Sequence, residues 1–110
     1  MSITINIYYS GTNGNAKKFA EEMTVSGIVE DIRNEAGNIR YEYFIPMNDS
    51  ETVLLIDTWE NQEALDIHHG SLMMKQIAEL RDKYDLHMKV ERYQSNEIDD
   101  LEESENYIRK

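Results

Sequence analysis

Apolar and polar residues alternate in three segments of the chain, residues 3–9, 39–45 and 86–93. This period of two predicts β-strands, because successive side chains of a strand point to opposite faces of a sheet. A fourth segment, residues 51–60, differs because its residues 53–56 are all apolar. Such an uninterrupted run predicts a strand that is buried on both faces.

Between these strands, apolar residues recur at intervals of three and four, which predicts helices. The first helical region covers residues 15–36, and its pattern changes phase around Gly27, where we expect a kink or a break. Asn61 is placed to cap a second helix, and Gly70 separates it from a third over residues 72–84. The predicted order is strand, helix, strand, strand, helix pair, strand. This is the split β-α-β, ferredoxin-like arrangement of an α+β domain.

The doubly buried strand also predicts how the protein assembles. Helices that all lie on one side of a four-stranded sheet leave the opposite face of the sheet in water. Residues 53–56 therefore need something else to pack against that opposite face. Another copy of the chain, packed sheet against sheet, is the most readily available cover. The sequence therefore predicts a homodimer.

Chain length and local charge divide the sequence into a domain and a tail. A chain of 110 residues is long enough for one globular domain and too short for two domains with independent cores. Its hydrophobic content of 40% is typical of a globular protein. We assign residues 1–93 to this domain. Residues 94–110 carry six acidic side chains against Arg109 and Lys110. We interpret them as an acidic C-terminal tail, either solvated or forming a short amphipathic helix.

The overall charge and the residue types present exclude several classes of function. A formal net charge of -11 argues against nucleic acid and anionic membranes as partners, because both are negatively charged. The chain has no cysteine, so disulfides and thiolate metal sites are ruled out. The N-terminus does not resemble a signal peptide, and no apolar stretch is long enough to span a bilayer. We therefore expect a cytoplasmic protein.

The chain has three histidines, His68, His69 and His87, and their spacing does not predict a metal site. His68 and His69 are about 100° apart around a helix, so they do not readily face one ion. The positions four residues after them are Leu72 and Met73, not further ligands. We expect no metal.

Two further residues are candidates for ligand binding. Asn6 interrupts an isoleucine-rich strand, and a buried amide needs hydrogen-bond partners, which either a ligand or the neighbouring backbone could supply. Trp59 is the only tryptophan and lies at the end of the apolar strand. It is either a core or interface anchor or one wall of a pocket for a planar aromatic molecule.

Residues 57–68 have a more specific pattern. They contain an acid, one residue and a tryptophan, then a polar link, an apolar pair and His68, nine positions after Trp59. This segment resembles the signature of the antibiotic biosynthesis monooxygenase domain. Residues 35–43 are similar to the same family's Glu-x-Gly turn and the aromatic-bearing strand that follows it. In element order, the resemblance extends over residues 3–93.

The resemblance implies a dimeric α/β barrel and a defined chemistry. Members of this family oxidise quinols or phenols with molecular oxygen and without a cofactor, because an ionised hydroquinone itself donates electrons to oxygen. On this basis we expect a small aromatic or quinol substrate. The resemblance makes His68 the catalytic base or hydrogen-bond donor. It places Trp59 and Asn6 around a substrate pocket between the helices and the sheet.

Departures from the family pattern keep other functions open. Relatives that oxidise quinols often have a second histidine where this chain has Met73, and some phenol-oxidising members have an asparagine at the position of Leu55. A non-catalytic dimeric module that binds small aromatic molecules, as in a stress response, is therefore the alternative. Haem degradation is a weaker third, since the branch with an asparagine like Asn6 places its axial histidine near Ala78.

Overall fold

The computed structural model describes residues 1–95 and 107–109. Within them lie four strands, β1 (Ile3–Ser10), β2 (Asn38–Phe44), β3 (Thr52–Trp59) and β4 (His87–Gln94). Helices α1 (Asn15–Val25) and α2 (Ile28–Arg33) connect β1 to β2, and helices α3 (Gln62–His69) and α4 (Met73–Lys83) connect β3 to β4. The predicted order of elements is confirmed. The short helix considered for the acidic tail falls largely outside the described residues.

The strands form one antiparallel sheet in the order β2-β3-β1-β4. β1 pairs with β3 along its whole length, with Ile3 opposite Trp59 and Tyr9 opposite Val53. The fold is therefore α+β and ferredoxin-like, as predicted. The sheet is open, because β2 and β4 each have one unpaired edge among the described residues. The predicted barrel is thus not closed by a single chain.

The two faces of the sheet have different environments. Directly opposed residues of antiparallel strands share a face, and one face packs beneath the helices. Buried side chains on this covered face include Ile5, Tyr9, Val53, Leu55, Asp57 and Trp59. The opposite face, which we call the open face, carries Asn6, Tyr8, Phe44, Leu54, Ile56 and Thr58.

Residues 53–56 are buried on only one face within the chain. Val53 and Leu55 are each 1% exposed, whereas Leu54 and Ile56 on the open face are intermediate in exposure. One chain therefore buries only one face of β3, and burial of the other face by a second copy stays a prediction. The physical reason is that all the helices packed on β3 lie on the same side of the sheet.

Two glycines shape the connection from α1 to the functional region. Gly27 has a φ of +90°, so the chain turns there and the predicted break between α1 and α2 is confirmed. Gly37 has a φ of +85°, and a Cβ atom at this position would lie 2.6 Å from Cβ of Ala64 in α3. This close approach holds the start of β2 against α3. Among the described helices, none is long and apolar enough to cross a membrane.

Candidate functional site

A cavity of about 260 Å³ lies between the covered face of the sheet and helices α3 and α4. Its walls are largely apolar and include Ile5, Ile7, Leu55, Ile77 and Val90. Its polar lining comes from Tyr9, Tyr41, Asp57, His68, His69 and Arg81. Apolar walls with a few converging polar groups are typical of small-molecule sites.

His68 lies at the C-terminal end of α3 and is 3% exposed. The side chain of Asn61 caps this helix by accepting a hydrogen bond from the backbone N–H of Ala64 at 2.8 Å, as predicted. Nδ1 of His68 lies 2.7 Å from Oε2 of Glu35. Glu35 belongs to the turn that leads into β2, so the close contact at Gly37 also brings the two partners together.

The charge state of His68 follows from its surroundings. Burial lowers the pKa of His68 below its ordinary value of 6.5, and the Glu35 carboxylate opposes this effect only in part. The imidazole is therefore neutral near pH 7 and carries one proton. Because a carboxylate only accepts hydrogen bonds, that proton lies on Nδ1 and is donated to Glu35. Nε2 keeps its lone pair, and no described residue hydrogen-bonds to it.

Trp59 packs against His68, with ring centroids 4.7 Å apart and ring planes inclined by 27°. It is fully buried and is not among the residues that line the cavity. Its indole therefore supports the imidazole from behind and fixes the plane of the ring. Of the two readings that the sequence allowed for Trp59, the geometry favours a core anchor beside the site.

Asp57 lies two residues before Trp59, on the same face of β3, and lines the cavity. It is 4% exposed, and its Oδ1 atom has no hydrogen-bond partner among the described residues. Burial raises the pKa of Asp57 from 3.8 to about 7. The nearby indole N–H of Trp59 offsets part of this rise without making a hydrogen bond, since Nε1 of Trp59 is also unpartnered among the described residues, and the charge of Glu35 adds to the rise.

The family assignment follows from a match that covers most of the sequence. The model of the family described as "Antibiotic biosynthesis monooxygenase" matches residues 2–80. The chain belongs to this family. Among curated proteins, no sequence matches it.

Solved structures similar to this family member share its fold. A conserved protein of unknown function from Bacteroides thetaiotaomicron is 22% identical, with a TM-score of 0.73 over 84% of this chain and 95% of its own. A candidate antibiotic biosynthesis monooxygenase from Deinococcus radiodurans is 18% identical, with a TM-score of 0.75 over 88% and 94%. SnoaB from Streptomyces nogalater, described as a cofactor-independent oxygenase, is 8% identical, with a TM-score of 0.73 over 90% and 97%.

Asn6 does not lie in the cavity of this antibiotic biosynthesis monooxygenase family member. It pairs with Ile56 and belongs to the open face, whereas His68 and Trp59 lie on the covered side. The structure therefore does not bring Asn6 together with His68 and Trp59, because adjacent residues of a strand point to opposite faces. Its Oδ1 atom is buried and has no partner among the described residues.

The remaining histidines do not complete a metal site. His69 is exposed, and its ring centroid is 5.7 Å from that of His68, while His87 is exposed on β4. No group of three potential ligands among His, Cys, Asp and Glu is found in the described part of the chain. The expectation of no metal stays a prediction.

No role in the site was predicted from the sequence for Glu35, Asp57 or Arg81, although Glu35 and Asp57 lie in the two segments that resemble the family. Asp57 was detectable, because it continues the buried alternation of Val53 and Leu55. Arg81 lines the cavity from the end of α4, with Nη1 2.9 Å from Sδ of Met88. Glu35 and Arg81 reach the site from distant parts of the chain, and no local pattern indicates that they meet there.

Proposed function

We propose that this chain is a monooxygenase that oxidises a small quinol or phenol with molecular oxygen, with His68 as general base. The observation that carries the proposal is the pair of buried His68 and partly buried Glu35 beside a largely apolar cavity. A neutral imidazole with Nδ1 held by a carboxylate has its other nitrogen ready to accept a proton. Positioned bases of this kind accelerate reactions by about 10²- to 10⁴-fold.

The proposed chemistry begins with proton removal. Nε2 of His68 accepts the phenolic proton, and Glu35 stabilises the imidazolium that results. The phenolate is a far better electron donor than the neutral phenol, so it passes electrons to oxygen without a separate cofactor. Oxygen bonds to a ring carbon that carries hydrogen. One oxygen atom stays there as a new carbonyl oxygen, the hydrogen of that carbon leaves as a proton, and the other oxygen atom leaves as water. Apolar walls such as Leu55 and Ile77 exclude water from the reactive intermediate.

Trp59 and Asn6 take different parts in this proposal. Trp59 acts through His68, because it stacks on the imidazole without lining the cavity. Asn6 could meet a substrate only through the open face, so we assign it to the homodimer interface. There its unpartnered Oδ1 would find a donor on the second copy.

The proposed homodimer follows from the composition of the open face. Leu54 and Ile56 are only partly buried there, and Phe44 is 38% exposed. A second sheet packed on this face would bury these side chains and complete the coverage of β3. This arrangement leaves the cavity of each chain on the outer, helix-covered side.

The test is turnover of a hydroquinone. The purified protein is mixed anaerobically with menadiol, ¹⁸O₂ is admitted, and formation of a quinone that contains one ¹⁸O atom is followed against a protein-free blank, since simple oxidation of menadiol adds no oxygen atom to the ring. We expect His68→Ala to lose at least about 100-fold in kcat. His87→Ala, which changes an exposed histidine on β4, is the matched control and should keep full activity. A wild type no faster than the blank would exclude the monooxygenase.

The same experiment separates the alternatives. Aromatic binding without turnover, equal in wild type and His68→Ala, would indicate the non-catalytic binding module. Haem degradation requires an axial ligand near Ala78, and α4 contains no histidine. A haem-coloured protein after purification would favour that third function.

A further inference from the structure

Asp57 has an environment that an ionised carboxylate does not normally tolerate. Its side chain is 4% exposed, lines the cavity, and leaves Oδ1 without a hydrogen-bond partner among the described residues. A buried carboxylate without a partner is costly, so such a group either keeps its proton or meets a ligand. A protonated carboxyl can do both, because its O–H group is a hydrogen-bond donor.

The neighbouring groups do not neutralise a charge on Asp57. Those on the covered side of the sheet come from every element around it, namely Tyr9, Glu35, Tyr41, Tyr43, His68, His69, Arg81 and Arg92. Glu35 is an anion, His68 is neutral, and Arg92 is hydrogen-bonded to Gln62. Burial raises the pKa of Tyr9 to about 12, so this phenol is also uncharged. Arg81 is the remaining cation at the cavity, and its guanidinium contacts Met88 instead of Asp57.

We propose that Asp57 is a second catalytic residue of this cavity, a carboxylic acid that contacts the substrate and transfers a proton to reduced oxygen. This inference rests on the proposed function and deepens it. It gives the site an acid to complement the base. His68 and Asp57 both line the cavity, on α3 and β3, so one substrate ring can reach both.

The proton transfers balance over one turnover. His68 takes the phenolic proton, and the phenolate gives two electrons, one at a time, to oxygen, which bonds to a ring carbon as a peroxide anion. The acid form of Asp57 protonates that peroxide. The Asp57 carboxylate then removes the proton on the same ring carbon, the C=O bond forms and the O–O bond breaks. The departing hydroxide takes the proton from the His68 imidazolium and leaves as water, so both residues return to their starting states.

The kinetic test uses Asp57→Asn, which keeps the shape of the side chain and cannot transfer a proton. We expect kcat for menadiol to fall by about 100-fold or more, with KM changed by no more than about twofold. The peroxide should then escape, so hydrogen peroxide per substrate consumed rises and incorporation of ¹⁸O from ¹⁸O₂ falls. Asp31→Asn removes one exposed acid on α2 and should change none of these values. Unchanged kcat and product ratio in Asp57→Asn would overturn the proposal.

A binding measurement separates this inference from the monooxygenase proposal. Isotope-edited infrared spectra detect the C=O band of a protonated carboxyl, and 2-naphthol is a phenolic probe that resists oxidation by air. At pH 6 we expect one band that is absent in Asp57→Asn and that shifts when 2-naphthol binds. If menadiol is not oxidised but the band shifts, the monooxygenase proposal fails, whereas the inference that Asp57 is a protonated acid in contact with the phenol is supported. No protonated band, or a band that naphthol leaves in place, overturns the inference.

Discussion

Replacing Asp57 with asparagine should make the stability of the protein less dependent on pH between about pH 3.8 and about pH 7. The pKa of this carboxyl is about 7 in the folded chain and near 3.8 when it is solvent-exposed. Between these values the unfolded chain has released the proton and the folded chain has kept it. Stability is therefore fully present below about pH 3.8 and is lost as the pH rises through about 7. Asparagine has no proton to lose, so the variant lacks this dependence.

The size of the effect follows from the same two values. A pKa rise from 3.8 to about 7 corresponds to about 4 kcal/mol of unfolding free energy. Over the steep part of the range, the wild type should lose about 1.4 kcal/mol per pH unit relative to Asp57→Asn. The buried amide adds an unmet donor that costs about 1–3 kcal/mol. Because this penalty is the same at every pH, it displaces the difference curve without changing its slope.

The assay is urea unfolding from pH 5 to pH 9 at one fixed protein concentration, since a dimer's stability depends on concentration. The measured quantity is the unfolding free energy of Asp57→Asn minus that of the wild type. It should rise from pH 5 to about pH 7 and then level off. The same subtraction for Asp31→Asn, an exposed acid on α2, should stay near zero. A difference for Asp57→Asn that is flat across this range would refute the buried, protonated carboxyl.

Three other variants test the support of the site and the open face. Glu35→Gln removes a charged hydrogen bond worth about 1.5–3 kcal/mol, so kcat should fall about 10- to 100-fold, and the pKa of His68, measured by NMR titration, should drop further. Gly37→Ala places a Cβ atom 2.6 Å from Cβ of Ala64 in α3, at a residue whose φ is +85°, and should destabilise the fold by about 2–4 kcal/mol. Ile56→Lys places a charge on the open face and should weaken the dimer at least about 100-fold in sedimentation equilibrium.

Two of these variants, Gly37→Ala and Ile56→Lys, have matched controls. Gly14→Ala is also at positive φ but meets nothing within 4 Å, so it should cost only about 1 kcal/mol in urea unfolding. Equal losses at Gly14 and Gly37 would contradict the contact with α3. Val25→Lys changes a residue of α1 that is 87% exposed and should leave the dimer intact. A monomeric wild type would contradict the proposed interface on the open face. An unchanged His68 pKa in Glu35→Gln would contradict the proposed pairing of His68 with Glu35.

The order of elements could be predicted from the sequence because it depends on local periodicity. Alternation located β1, β2 and β4, the apolar run at residues 53–56 located β3, and the change of phase at Gly27 located the break between α1 and α2. The apolar run at residues 53–56 was harder to interpret. It indicates that both faces of β3 prefer apolar contacts, but it does not indicate which contacts one chain can make. The helices supply one cover, and the open face has none within the chain.

The site was only partly predictable, because its residues meet through the fold. The family pattern pointed to His68, and strand alternation alone places Asp57 beside Trp59 on the covered face. The same alternation puts Asn6 on the opposite face, so the family resemblance and the alternation of β1 give different positions for this side chain. Glu35 depends on the Gly37 turn and the register of β2, which are set by long-range contacts.

The environments of His68 and Asp57 shift their pKa values in ways that define a working pH range. Burial lowers the pKa of His68 below 6.5, so the base is ready above that lowered value. Burial raises the pKa of Asp57 to about 7, so the acid keeps its proton only below about pH 7. After subtraction of the uncatalysed rate, kcat/KM for menadiol should therefore be bell-shaped, with its alkaline limb near pH 7. Asp57→Asn should lose that limb and Glu35→Gln should move the acid limb to lower pH. A wild-type rate that keeps rising above pH 8 would show that no protonated carboxyl takes part.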